Sequence, residues 1–177
     1  MQMDKYILGL FYEIRSPYLD SFFEGITWLG SLWLLLPLSL LVTVAMLWSG
    51  QHSLGVLDRI YLPASLLMAS FLAFVLKSVF DRQRPDLFET WVILPTDSAF
   101  PSAHSAQVAA FFMALWFLLP ISMRWTVGWI LLFIVLVVMI SRLYLQVHWP
   151  SDVLGGGLLG ISCAIILRFM LLPKEAV

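Results

Sequence analysis

The sequence predicts an all-α protein, a polytopic transmembrane helix bundle of about five to six membrane helices with a short interfacial helix at its N-terminus. Three observations carry this. Of 177 residues, 61% are hydrophobic and only 12% charged, and the mean hydropathy is +0.93. A soluble domain runs near 45–50% apolar and about 25% charged. The apolar residues number about 108 and lie in long unbroken runs, and a membrane helix consumes about 20. Continuous runs, rather than alternation over about ten residues, select helices over a β-barrel.

Residues 4–15 set Ile7, Leu8, Leu10, Phe11 and Ile14 beside Asp4, Lys5, Glu13 and Arg15. This pattern predicts an amphipathic helix lying in the membrane interface, ended by Ser16-Pro17. The first span is expected over about 22–48, nearly free of charge after Glu24, followed by a short loop from Gly50 to Arg59. The second runs over about 60–80, where charge returns at Asp81, Arg82, Arg84 and Asp86. The third covers about 102–119 and stops at Pro120, and a turn with Ser122 and Arg124 leads to the fourth, about 125–145. The fifth runs over about 150–172, with Pro173-Lys174-Glu175 after it. The whole chain, 1–177, reads as one integral membrane domain without repeats.

The bulk numbers also exclude classes. A net charge of −1 and a pI near 6.3 offer no basic surface for nucleic acid, so none is expected as a partner. The single cysteine, Cys163, lies in an apolar run and supports neither a disulfide framework nor a cysteine zinc site. The N-terminal residues lack the basic and apolar regions of a secretory signal. Trp28, Trp48, Trp91, Trp125, Trp129 and Trp149 fall near span ends, where indole rings anchor at the interface. Gly156 and Gly160, beside Gly155 and Gly157, form a Gly-x-x-x-Gly suited to close helix packing.

Ionisable groups in or beside a membrane are costly and mark function. Because successive spans alternate direction, the end of the second, the start of the third, the end of the fourth and the start of the fifth share one face. That face gathers Lys77, Arg82, Arg84, Ser102, His104, Arg142, His148 and Asp152. The opposite face holds His52, a solvated loop histidine, with Asp58, Arg59, Arg124, Arg168, Lys174 and Glu175.

Spacing gives the cluster chemical content. Lys77 and Arg84 are seven apart, two helical turns on one stripe, although Pro85 disfavours helical dihedrals at Arg84. Both cations reach one anion. Pro101-Ser102-Ala103-His104 opens the third span, where proline suits a first turn, serine caps, and free N–H groups bind an anion. His104 beside that anion is suited to proton donation, though singly it is equally a packing histidine. Arg142 and His148 are six apart and would diverge by about 240° on one helix, so the helix must break between them. Pro150 supplies the break. Asp152 in the next first turn then lies close enough to orient His148 as a nucleophile, or serves simply as a first-turn acid.

Lys77-x6-Arg84-Pro85, Pro101-Ser102-Ala103-His104 and Ser141-Arg142-x5-His148-x3-Asp152 resemble the three signature motifs of the type 2 phosphatidic acid phosphatase superfamily of membrane lipid phosphatases. Ala103 stands where that family usually has glycine, and it keeps the backbone N–H. Members often have six spans, the first of which the helix at 4–15 would replace. The resemblance implies that His148 forms a phosphohistidine, Asp152 orients it and His104 protonates the leaving oxygen. It implies that Lys77, Arg84, Ser102, Ala103 and Arg142 hold the phosphate, with no metal and no cofactor. The substrate would be a phosphorylated lipid: phosphatidic acid, phosphatidylglycerol phosphate, undecaprenyl diphosphate or a lipid A phosphate. A phosphotransferase with the same intermediate, and a non-catalytic lipid transporter, stand as alternatives. The apolar segment 86–100 is expected beside the site at headgroup level. Counting loop cations, the positive-inside rule leans toward a site facing out of a bacterial inner membrane. The oligomeric state is left open.

Overall fold

A computed structural model of the chain describes residues 2–48, 55–88, 90 and 92–171. His52, Trp91, Lys174 and Glu175, and the end of the fifth expected span, lie outside the described residues. The elements are α1 (Gln2–Glu13), α2 (Pro17–Thr27), a 3-10 turn (Trp28–Gly30), α3 (Leu32–Trp48), α4 (Val56–Phe80), α5 (Ala103–Leu118), α6 (Ile121–Tyr144) and α7 (Pro150–Leu171). No strand occurs among the described residues.

Among the described residues three helices are long and apolar enough to cross a membrane: α4, α6 and α7, of 25, 24 and 22 residues. The pair Pro17–Gly30 and Leu32–Trp48, bent by 47°, makes a fourth if taken as one span. Apolar α5 has 16 residues, about 24 Å at 1.5 Å per residue against a hydrocarbon core of about 30 Å. By length and composition the count is thus three or four, below the five to six expected.

The single first span expected over 22–48 is broken. Ser16 caps α2 through its side chain, the chain tightens to a 3-10 turn, and Ser31 is extended at ψ 136°. The break lies where Gly30 faces α5 and α6. A Cβ on Gly30 would come within 2.7 Å of Val138 Cγ1 and 3.3 Å of the His104 backbone oxygen, so only glycine admits this approach. Two loops expected from charge are helical: Asp58 and Arg59 lie in α4, and Ser122 and Arg124 in α6. In each case the charged side chain is used locally. Asp58 accepts the Gly55 N–H at 2.8 Å, and Arg124 donates to the carbonyls of Leu119 and Phe117 at the end of α5.

α5 is the hub. It is apolar all round, as a fully surrounded helix should be, and Ser105–Phe111 and Ala114 are buried against α3, α4, α6 and α7. The α5–α7 seam is made by Gly156 and Gly160. A Cβ on either would collide with backbone of α5, at Ser102 O and Ala106 O respectively. Tyr61 ties α4 to α7 by donating to Ala164 O at 2.7 Å. Pro63 lies inside α4 and has no N–H for the carbonyl of Arg59 four residues back. The Thr43 hydroxyl of α3 reaches that oxygen at 2.9 Å, so the proline's missing bond becomes an interhelical one.

α1 is amphipathic, but its polar face is not all solvated. Asp4 and Leu8, four apart and hence on one side, are both buried against the motif end of the bundle. Trp149 is likewise no interface anchor: it is buried, and its indole N–H donates to Gln83 O at 2.9 Å. Trp28, Trp48, Trp125 and Trp129 are exposed, as anchoring requires.

Candidate active site

The α4 helix ends at Asp81, which takes the left-handed conformation at φ 39° and turns the following residues over the bundle end. Lys77 therefore stays in the last helical turn, while Arg84 arrives from extended chain. The Arg84 guanidinium donates to Val147 O at 2.7 Å and meets His148 Nε2 at 3.3 Å. Lys77 Nζ donates to Ser98 O.

His148 is presented by the break between α6 and α7. The α6 helix stops at Tyr144, Gln146 adopts φ 58°, and Pro150 restarts the chain as α7. Gln146 is buried and donates its amide to Leu8 O at 3.0 Å, which fixes the turn against α1. The separation of Arg142 from His148 that one helix would impose is removed here.

The two His148 nitrogens differ. Nε2 faces an Arg84 donor and must offer its lone pair, which places the proton on Nδ1. Nδ1 is buried without a hydrogen-bond partner among the described residues. Asp152 Oδ2 lies 3.7 Å from it, near enough for charge attraction and too far for a hydrogen bond. That oxygen accepts the Trp149 N–H at 2.8 Å. Burial, then the charges of Arg142, Arg84 and Lys77, push His148 well below the ordinary histidine range, so its imidazole is neutral.

Ser102 caps α5 with its hydroxyl oxygen as acceptor, which leaves its O–H to donate. It accepts from Ser105 N at 3.4 Å and Ser105 Oγ at 3.0 Å, and the Ser102 N–H donates to Asp152 O at 3.0 Å. Ala103 and His104, the first two residues of α5, have no preceding helical carbonyl for their N–H groups. His104 and Arg142 line a cavity of about 320 Å³ whose outer rim includes Trp28, Trp33 and Ile93, three strongly exposed apolar side chains. Arg142 is held by Thr27 Oγ1 of α2.

Lys77, Arg84 and His148 thus share one locus, and Asp152 stands behind His148. Several residues of this arrangement carried no assigned role in the sequence reading. Asp97 bridges the two cations, at 3.1 Å from Lys77 Nζ and 2.6 Å from Arg84 Nη2. Burial raises its carboxyl, but the hydrogen bonds and charges of Arg84 and Lys77 outweigh this and hold it below the usual range. The usable signal was charge balance, since converging cations near lipid need a counter-charge. Arg82 donates to Asp152 Oδ1 at 2.5 Å and Asp4 Oδ2 at 3.1 Å. The signal for Asp4 was its spacing from Leu8. The segment 86–100 does border the site: Phe88 stacks on Tyr12 at 4.3 Å, and Val92 and Leu94 pack against Tyr144, Leu145 and Val147.

Residues 59–174 match the PAP2 superfamily. The chain is 31% identical over 161 residues to phosphatidylglycerophosphatase B of Bacillus subtilis, covering 88% of this chain and 76% of that protein. It is 39% identical over 106 residues to an undecaprenyl-diphosphatase of Sulfolobus acidocaldarius, covering 57% and 49%. Its fold superposes with a TM-score of 0.86 at 30% identity on the crystal structure of a transmembrane PAP2 type phosphatidylglycerolphosphate phosphatase from Bacillus subtilis, over 96% of this chain and 84% of that one.

Proposed function

From the premise that this chain belongs to the PAP2 superfamily, and is therefore an integral membrane lipid phosphatase, we propose that it hydrolyses a phosphorylated lipid through a phosphohistidine on His148. The observation that carries this is the Arg84 contact to His148 Nε2 at 3.3 Å, beside Lys77, with Nδ1 turned toward Asp152.

In the first step His148 Nε2 attacks phosphorus, the bond to the lipid oxygen breaks, and His104 gives that oxygen its proton. Lys77, Arg84, Arg142 and the N–H groups of Ala103 and His104 hold the equatorial oxygens, where charge accumulates in the transition state. Asp152 balances the positive charge that the imidazole acquires. In the second step water attacks phosphorus, its proton passes to His104, and the P–N bond breaks to release inorganic phosphate. Ser102 caps the α5 terminus with its oxygen, which accepts from Ser105, and its own O–H joins the donors to the phosphate. The cationic set neutralises the anion directly, and the mechanism assigns no step to a metal.

His104 lies in the cavity rimmed by Trp28, Trp33 and Ile93, which supports a leaving group that enters from the lipid side. Among lipid substrates, the similarity to phosphatidylglycerophosphatase B over 88% of the chain favours phosphatidylglycerol phosphate, with undecaprenyl diphosphate next. The site faces outward from the cytoplasmic membrane in this reading.

The test is phosphate release by the purified protein in detergent micelles across phosphatidylglycerol phosphate, undecaprenyl diphosphate, phosphatidic acid and a lipid A phosphate, with no acceptor lipid added. We expect release, fastest from phosphatidylglycerol phosphate, and none from His148→Ala. Full activity in that variant overturns the nucleophile, and turnover only when an acceptor lipid is supplied makes the enzyme a phosphotransferase.

A further inference from the structure

Behind His148 lies a second layer of charge. Asp152 is fully buried, and a buried carboxylate is tolerated only when paired and hydrogen-bonded. Its Oδ2 receives Trp149 N–H and faces His148. Its Oδ1 receives Arg82 Nη1 at 2.5 Å. The same guanidinium donates to Ser151 Oγ at 2.7 Å and to Asp4 Oδ2 at 3.1 Å, and lies 5.6 Å over the Trp149 ring. Asp4 in turn accepts the Ser151 hydroxyl at 2.9 Å and the Ser151 N–H at 3.3 Å. Both terminal guanidinium nitrogens of Arg82 meet groups from α7 or α1.

We propose that Arg82 and Asp4 are positioning residues for the Asp152–His148 pair: Arg82 occupies Oδ1 so that Oδ2 alone is presented to the imidazole, and Asp4 offsets the guanidinium so that the group keeps a net negative charge behind His148. This rests on the phosphohistidine reading above. Two carboxylates and one guanidinium sum to −1. Were Arg82 and Asp152 alone, their charges would cancel, and the imidazolium formed when His148 is phosphorylated would lack a counter-charge. With Asp4 present, the cluster is balanced when that cation forms, and it favours the transition state over the ground state. α1 is then part of the catalytic apparatus, since its carboxylate sets the charge at a residue far along the chain.

The experiment uses the full-length protein in detergent micelles with phosphatidylglycerol phosphate, measuring kcat, KM and the rate at which base-stable, acid-labile counts from ³²P-substrate appear on the protein after an alkaline quench. Arg82→Gln is expected to lower kcat by about 10–100-fold, the range for removing an outer partner of a histidine, with KM unchanged and phosphoenzyme formation slowed. Arg82→Lys, which keeps the charge, restores most of the loss. Asp4→Asn, which removes the offsetting charge without changing shape, lowers kcat by a smaller factor with KM unchanged. If Arg82→Gln fails to fold, Asp4→Asn decides the matter by the same split. Arg82→Gln or Asp4→Asn indistinguishable from wild type in kcat overturns the proposal. So does a raised KM at constant kcat, which would put Arg82 on the substrate phosphate. Wild-type protein that releases phosphate without forming phosphoenzyme overturns the reading beneath it instead.

Discussion

At the scale of single residues, the proposed anion locus is already filled by the protein itself. Asp97 holds Lys77 and Arg84 with one carboxylate, and on the proposed reading a substrate phosphate must displace it. Each half-exposed pair contributes about 1 kcal/mol or less, so Asp97→Asn should tighten inhibition by vanadate a few-fold, read from the half-inhibitory concentration. Unchanged inhibition would show that the carboxylate does not compete. His148 gives a pH prediction. Its native pKa is depressed by burial and neighbouring cations, so below its unfolded value of about 6.5 the unfolded chain binds a proton that the native one refuses. Its contribution to stability is present above that pH and lost on acidification. The melting temperature in detergent should fall as pH drops through that range, and His148→Asn should flatten the fall.

At the scale of elements, the α5–α7 seam is the tightest joint and the most legible one. Gly156 and Gly160 announce close packing by their spacing, and the structure spends that space on Ser102 O and Ala106 O. Gly160→Leu should therefore cost more than the about 1–3 kcal/mol typical of overpacking, because backbone rather than a side chain stands in the way; thermal unfolding in detergent measures it. Thr43→Val should leave Arg59 O unsatisfied at a cost of about 1–3 kcal/mol, measured in the same way. The α6–α7 break was equally legible, since Pro150 forbids the helix that would part Arg142 from His148. The bend between α2 and α3 was not. Its cause is Gly30 pressed against His104 and Val138, a contact between residues far apart in sequence, whereas hydropathy along 22–48 is nearly uniform. Asp4 and Trp149 were misplaced for a related reason: an amphipathic pattern says which side is polar but not that another helix covers it.

At the scale of the whole molecule, the charges sort by membrane face. Among the described residues Arg59 and Arg124 lie at the end away from the motifs, and Arg82 at the motif end is paired with two carboxylates. Counting loop Lys and Arg, the positive-inside rule leans toward an outward-facing site by one residue, as the sequence alone has it. A reporter fused to the C-terminus should be active in the cytoplasm; activity outside would reverse the orientation. On the proposed reading, in which Lys77, Arg84 and Arg142 meet the anion, phosphate release should survive a chelator and be blocked by vanadate.

The Gln146 bond to Leu8 O and the Arg82 bridge from Asp4 to Asp152 join α1 to the α6–α7 turn and to α7. Contacts of such sequence separation form late. On the proposed reading His148 is therefore armed only after α7 has entered the bilayer and closed on α1, and a nascent chain halted before residue 150 should hold both cations of the first motif yet leave the lipid around it intact.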